Sequence, residues 1–436
     1  MKRRKFLKTA SAAGLGLVAP RGLSSLVSRP SEQVVVAIMG LNGRGAVLGR
    51  TFARTPNAVV AYVCDVDSQV LAKAVTAVAA AQTTAPKGVG DFRRALEDKS
   101  VDALVIAAPD HWHTPAALLA MQAGKHVYVE KPCGHNAREG ELLVEAQRKH
   151  LRVVQMGTQQ RSAPRSIEVV QAIKEGAIGQ PYLARAWYAN TRATIGHGKP
   201  APVPANLDYE LWQGPAPHTP YRDNVIHYNW HWFRRWGTGE ICNNGTHEID
   251  VARWALGVDF PVRVTSVGGR YHFDDDWEFP DTQEACFEFA GGKTILWQGQ
   301  SCNGLPTYGR DRGTAILGTT GSVVMDRDGY IVSDVKGKVV KQSLAARAGD
   351  GLNTHADDDM TVLHIANFVD AIRTGAALHQ PIEEGAKSVL LGHLGNIAQS
   401  TGRALRIDPK SGHIVGDEEA MKFWQREYAP GWAPVV

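Results

Sequence analysis

Residues 34–65 constrain the fold more than any other stretch. An apolar run, Val34–Met39, is followed by a tight glycine cluster, Gly40-Leu41-Asn42-Gly43-Arg44-Gly45. A helix-compatible segment comes next, then a second apolar run, Val59–Cys64, closed by Asp65. Strand, glycine turn, helix, strand and acid, in that order, are the layout of a dinucleotide-binding βαβ unit. Gly40 is expected to turn the chain off the strand, and Gly43 or Asn42 to let backbone approach a pyrophosphate. Gly45 is expected to let the helix pack close. Asn42 stands where a second glycine is usual, and asparagine tolerates a positive φ. The helix N-terminus would face the phosphates. Asp65 would accept hydrogen bonds from the adenosine ribose, and its charge disfavours the 2′-phosphate of NADP, so the expected cofactor is NAD.

Further along, strand patterns alternate with helices as far as Met156. These are a helix at 68–81, a loop at 82–90, a helix at 91–98, a strand at 101–108, a helix to Ala123, a strand at 126–129, a helix to His150 and a strand at 152–156. Such alternation predicts a doubly wound parallel sheet, with ligands at the carboxyl ends of its strands. Leu41 and Arg44 in the turn, Pro109, Asp110, Trp112 and His113 after one strand, Glu130 and Lys131 after the next, and Gln159 are therefore the other expected cofactor contacts. His111 and His113 share one strand-to-helix turn, where either can reach ribose or nicotinamide or else cap the helix.

The character changes after about residue 157. A helix to Glu175 and a strand at 182–190 precede a Pro- and Gly-rich stretch, 191–223, with a short helical turn at 208–212. From Val262 to about Val340, β-patterned runs separated by Gly and Asp turns predict a mostly antiparallel sheet. Two helices, from Asp357 and from Ile382, close the chain. The expected architecture is thus α/β, with an N-terminal Rossmann domain at 31–156 and a C-terminal α+β domain with a large, mostly antiparallel open sheet at 157–436.

Residues 1–30 are set apart. Arg3-Arg4-Lys5-Phe6-Leu7-Lys8 followed by a weakly apolar stretch reads as a twin-arginine export signal, either cleaved or kept as an anchor. It implies a periplasmic or secreted protein. The segment carries seven basic and no acidic residues, so without it the net charge falls from +4 to −3. No basic surplus then remains to favour nucleic acid or an anionic membrane. The five cysteines contain no C-x-x-C pair, and no zinc or other metal site is expected. His227 and His231 have the i, i+4 spacing of a metal pair, but no carboxylate stands at a fitting spacing.

Three features together resemble the Gfo/Idh/MocA oxidoreductase family: the βαβ glycine turn, Glu130-Lys131-Pro132, and the element Gly237–Asp250, which contains Asn243, His247 and Asp250. The resemblance covers nearly the whole chain after residue 32. It implies a Rossmann domain roofed by the sheet of a larger domain, sugar or polyol substrates, and dimers or tetramers formed through the open sheet face. It places Lys131 on the family's active-site lysine, Pro132 on a proline that is often cis, and His247 on the catalytic histidine. Asn243 stands where many members carry aspartate, and an amide cannot relay a proton. The export segment and the wording around Gly245–Trp254 are similar to relatives of the family 109 glycoside hydrolases, which use bound NAD to oxidise a sugar transiently.

Sugar oxidation needs a base at the hydroxyl and a positive charge beside the alkoxide that forms. His247 suits the first role and Lys131 the second, and Tyr188 is a third candidate catalytic group. Lys131, Arg161, Tyr188, Arg192, Trp230, Asn243 and His247 are the candidate substrate contacts. The aromatic cluster Tyr228, Trp230, Trp232, Phe233 and Trp236 offers faces for a pyranose ring but equally suits a core. The expected activity is NAD-dependent oxidation of a sugar or glycoside hydroxyl, at carbon 3, with a bound cofactor recycled in each cycle. Net glycoside hydrolysis by transient oxidation is one alternative. A non-catalytic sugar or nucleotide sensor is another.

Overall fold

A computed structural model describes residues 33–345 and 359–436. The arginine-paired segment 1–30 and the start of a helix at Asp357 lie outside the described residues. Six parallel strands form the first sheet: β1 (Val34–Met39), β2 (Ala58–Cys64), β3 (Lys87–Val89), β4 (Ala103–Ile106), β5 (His126–Glu130) and β6 (Val154–Gly157). Their order is β3-β2-β1-β4-β5-β6. The chain reverses direction across the sheet between β1 and β4, and a crevice opens there at the carboxyl ends. Strand β4 is buried along its whole length, which is why it reads as an unbroken apolar run. Strand β3 falls in the stretch expected to be a loop. It has three residues, is centred on Gly88 and sits at the sheet edge, so it shows no apolar alternation.

The glycine turn is packed as tightly as the sequence implies. Gly40 has φ +80°, and a Cβ there would lie 2.5 Å from the Ala108 backbone nitrogen. A Cβ on Gly45 would lie 1.6 Å from the Gly40 carbonyl oxygen, so the helix Arg44–Arg54 can close on the turn only with glycine at that position. The left-handed positions are Gly40 and Gly43. Asn42 has no positive φ, so the tolerance expected of asparagine is not called upon.

In the second domain the strands run in the order Val339–Leu344, Gly329–Asp334, Gly321–Met325, Arg312–Gly318, Pro181–Thr191, Lys293–Gln300, Thr282–Phe289, Arg263–Gly269 and Leu405–Arg406. Pro181–Thr191 is parallel to Lys293–Gln300, and the other pairings are antiparallel. Helices Gly245–Leu256 and Ile382–Thr401 cover one face, over a core that includes Trp297, Phe287 and Ile295. No helix was expected over 239–256. Glycine and asparagine dominate its start, and its polar residues are buried with tertiary partners, so no amphipathic stripe appears. The closing helix Asp359–Thr374 packs on the first domain instead, where Phe368 meets Phe52 and Tyr128 edge to face.

Candidate active site

One large cleft runs between the two domains, across the carboxyl ends of β1, β2, β4 and β5. Its dinucleotide side is lined by Gly40, Leu41, Asn42, Gly43, Arg44 and Asp65, and by Pro109, Asp110, Trp112, His113, Glu130 and Gln159 further along. Gly45 lies beneath the turn and serves packing. Asp65 accepts the Leu41 N–H at 2.7 Å and the Asp67 N–H at 2.9 Å, which holds the turn against the end of β2. Burial raises the Asp65 carboxyl above its usual range, although these backbone donors oppose the shift. Glu130 pairs with Arg44 at 2.9 Å and accepts the Gln159 amide at 2.9 Å, so these three side chains brace the first turn of the helix.

A dinucleotide fits this side on two observations. Gly40 and Gly43, both at positive φ, line the cleft and leave the turn's backbone there without side chains. The end of β2 carries two carboxylates, Asp65 and Asp67, which disfavour a 2′-phosphate. His113 has Nδ1 2.5 Å from the Pro132 carbonyl oxygen and Nε2 2.8 Å from that of Ala108. It ties β4 to the Lys131–Pro132 peptide, which is cis. His111 faces away from the cleft, with Nε2 2.9 Å from the Trp212 carbonyl oxygen.

The opposite side belongs to the second domain, and here the polar groups form one chain. Lys131 donates from Nζ to Asn243 Oδ1 at 3.0 Å, and Asn243 Nδ2 donates to Glu240 at 3.4 Å. Glu240 also takes Arg192 Nε at 2.8 Å and the Ser301 hydroxyl at 3.0 Å. The Arg192 guanidinium donates onward to the Tyr228 hydroxyl at 3.1 Å and the Tyr188 hydroxyl at 3.4 Å. Burial pushes the Lys131 ammonium below its ordinary value, against the opposing pull of Glu130, Asp110 and Glu240. Burial works to raise Glu240, but Arg192, Asn244 and Ser301 together hold it below the usual carboxylate range.

His247 opens the Gly245–Leu256 helix beside this chain and lines the cleft. Burial first, then the charges of Arg327, Lys131, Arg312 and Arg44, hold it well below 6.5, so its imidazole is neutral at neutral pH. Burial pushes Tyr188 up to about 12, which leaves a phenol and not a phenolate. The Arg312 guanidinium lies 5.3 Å over the Tyr188 ring and is itself fixed by buried Glu248 at 2.6 Å.

Arg161 is a correction. It lies outside the cleft, in a buried two-pronged pair with Asp250 at 2.8 and 2.9 Å, and its guanidinium rests 4.7 Å from the Trp254 ring. The aromatic cluster divides. Tyr228 and Trp230 line the cleft, Trp230 while also packed in one core with Phe233 and Trp236, and Trp232 stacks on Trp277 at 3.9 Å. His227 and His231 both line the cleft but turn to different partners, Asp67 and the Tyr228 carbonyl, and among the described residues no His/Cys/Asp/Glu group is arranged to hold a metal.

Glu240, Asn190, Asn244 and Arg327 are among the residues of this side that went unassigned from sequence. Glu240 stands inside the Gly237–Asp250 element, so an acid directly after Gly237-Thr238-Gly239 was its signal. Arg327 sits in an Asp-Arg-Asp-Gly turn, which reads only as a turn.

Two family models match the chain. Residues 34–158 fit the oxidoreductase family's NAD-binding Rossmann fold, and residues 185–433 fit its C-terminal alpha/beta domain. Among curated proteins, a glycosyl hydrolase family 109 protein of Saccharopolyspora erythraea is 32% identical over 207 residues, 43% of this chain and 45% of that protein. The match thus spans less than half of that relative's length. An inositol 2-dehydrogenase of Rubrobacter xylanophilus is 26% identical over 356 residues, 80% of this chain and 85% of that protein. Among solved structures, a levoglucosan dehydrogenase in complex with NADH and levoglucosan shares the fold, with a TM-score of 0.66, 18% identity, and coverage of 86% of this chain and 99% of that one. With both of its domains matched over the glycine turn, the Lys131 peptide and the His247 helix, the chain belongs to the Gfo/Idh/MocA family of NAD-binding oxidoreductases.

Proposed function

We propose that this oxidoreductase acts on a hydroxyl group of a sugar or glycoside, the one at carbon 3, and keeps its NAD between turnovers. The observation that carries the reading is the juxtaposition, in one cleft, of neutral His247, the Lys131–Asn243–Glu240–Arg192 chain and the dinucleotide cradle. Bound NAD would supply the hydride acceptor, with a second carbonyl compound taking the hydride in net oxidation and the sugar's own ketone taking it back in net hydrolysis. The protein's own side chains handle the protons and the charge. His247 takes the hydroxyl proton, and the Lys131 ammonium stabilises the negative charge that develops on the oxygen. Asn243 orients Lys131 without competing for a proton. Tyr188 stays protonated and donates a hydrogen bond. Trp230 and Tyr228 present apolar ring faces to the C–H side of a pyranose.

A second reading, net glycoside hydrolysis, is favoured by the family 109 relative and by the state of the cleft's carboxylates. Asp65 is engaged by backbone N–H groups, Asp110 by the Thr238 hydroxyl at 2.6 Å, and Glu130 by Arg44. Among the described residues lining the cleft, no free pair of carboxylates remains to work as acid and nucleophile. Hydrolysis here therefore runs through a transient ketone at carbon 3. The ketone acidifies the carbon 2 proton, the aglycone leaves, water adds, and the ketone is reduced again.

Incubating the holoprotein with an aryl glycoside separates the readings. Aryl alcohol released without any added acceptor supports hydrolysis. A keto-glycoside that accumulates only with a carbonyl acceptor supports net oxidation. Ligand binding with no turnover of any sugar would make the protein a sensor.

The twin-arginine segment supports export to the periplasm or beyond, where no free NAD pool is expected, and this is the ground for a resident cofactor. Replacing Arg3 and Arg4 with lysine and fractionating the cells tests the export; an unchanged distribution would refute it. A homo-oligomer, dimer or tetramer, through the open sheet face is the assembly we propose. Light scattering at a monomer's mass would refute it.

A further inference from the structure

The dinucleotide cleft is not built by the Rossmann domain alone. Its adenosine end, marked by Asp65, is crossed by residues 206–212 of the second domain. The Ser68 N–H donates to the Asn206 carbonyl at 2.9 Å, and the Asp208 N–H donates to the Val66 carbonyl at 3.0 Å. Asp67 and Leu207 thereby form an antiparallel bridge between the domains. Leu207, Leu211 and Trp212 line the cleft from this segment, together with Val66, Gly90 and Phe92 of the first domain. His227, also in the cleft wall, closes onto the same aspartate, with Nε2 3.1 Å from an Asp67 carboxylate oxygen.

A brace stands behind the strap. The Trp212 carbonyl accepts Trp112 Nε1 at 3.0 Å, and Trp112 itself lines the cleft. Trp432, near the C-terminus, packs edge-on against Trp112 at 5.0 Å, and the Arg93 guanidinium lies 5.4 Å from the Trp432 ring. The Ala429 N–H donates to the Pro215 carbonyl at 3.0 Å, which ties the C-terminal segment to the end of the strap.

We propose that this strap, latched by His227 on Asp67 and braced by Trp432 through Trp112, retains the dinucleotide by its adenosine half. The inference rests on the reading that NAD is resident, and it names the part of the chain responsible. An adenosine seated between Asp65 and the strap can leave only when the inter-domain bridge opens. Release is then governed by a local opening and not by the contacts of the glycine turn alone. His227 and Trp432 are positioning residues: each acts on the cofactor through the strap.

The test measures the rate at which NAD leaves the full-length holoprotein after dilution into an enzymatic NAD trap. His227→Ala is expected to speed release about fivefold, the size of one hydrogen bond to a carboxylate. Trp432→Ala is expected to do the same through one lost aromatic contact. His227→Lys, which keeps a hydrogen-bond donor at Asp67, and Trp432→Phe, which keeps a ring on Trp112, are expected to restore slow release. A merely structural role would lower the unfolding temperature without this selective rescue. Wild-type protein that holds NAD while both alanine variants release it at the wild-type rate overturns the strap and leaves the resident cofactor standing. Wild-type protein that exchanges NAD freely overturns the resident cofactor and the strap with it.

Discussion

At the scale of single residues, the amide at position 243 has the clearest chemical consequence. Asn243 accepts a hydrogen bond from Lys131 but brings no charge to it, so burial is free to push the ammonium down. Asn243→Asp would put a carboxylate at about the same place. An opposite charge within reach of Lys131 raises its pKa, so the protonated lysine would persist to higher pH. The alkaline limb of kcat/KM is expected to move upward in the variant, and an identical limb in both proteins would remove Lys131 as the charged partner of the reacting oxygen. His247 sets the other limb. Because burial and four cationic side chains hold it well below 6.5, the wild-type protein should keep its activity as the pH falls through that value. His247→Asn should lower kcat/KM by about 10²–10⁴-fold, the usual worth of a positioned base, with NAD retained. Near-normal turnover in that variant would move the base elsewhere.

Among elements, the glycine turn is where sequence and structure agree most closely, because its requirements are steric and local. The Gly45→Ala substitution tests this directly. The added carbon would meet the Gly40 carbonyl oxygen, a backbone atom that cannot swing aside. The helix Arg44–Arg54 must therefore back away from β1, so weaker NAD binding and a lower unfolding temperature are expected together. Calorimetry with and without NAD checks both, and a variant indistinguishable from wild type would show that the helix has room to move. Other elements were illegible for equally physical reasons. Strand β3 carries Gly88 at its centre and pairs on one edge only, so neither propensity nor alternation marks it. The Gly245–Leu256 helix begins among asparagines and glycines and buries polar side chains such as Asp250, whose partner Arg161 lies 89 residues away. That distance also explains the misassignment of Arg161. From sequence it sits beside Gln159 at the ligand end of a strand, and only the fold shows its charge already taken. The polar chain was half legible: Lys131, Asn243 and Arg192 were visible, but not Glu240, which joins them.

For the whole molecule, the boundary drawn at residue 157 describes the cleft better than it describes the core. Beyond that boundary, the helix Asp359–Thr374 buries Ile365, Phe368 and Val369 with Val34, Phe52 and Tyr128 of the first domain. The Ile382–Thr401 helix supplies Leu391 and Leu394 to the second core and Ile382 and Val389 to the first. The first domain therefore depends on chain from beyond the boundary, the Ile382–Thr401 helix spans both cores, and the two should unfold together. A single calorimetric transition is expected for the full protein. Phe368 is wholly buried, so Phe368→Ala removes its contacts with both aromatic neighbours and leaves a cavity that costs about 3–5 kcal/mol. If the cores are coupled, that substitution in the C-terminal half lowers the midpoint of the one transition and also loosens NAD, since β1 and its glycine turn lie over the same core. Two resolved transitions, with only one displaced by Phe368→Ala, would mean that the domains fold independently and that the closing helices are an external prop.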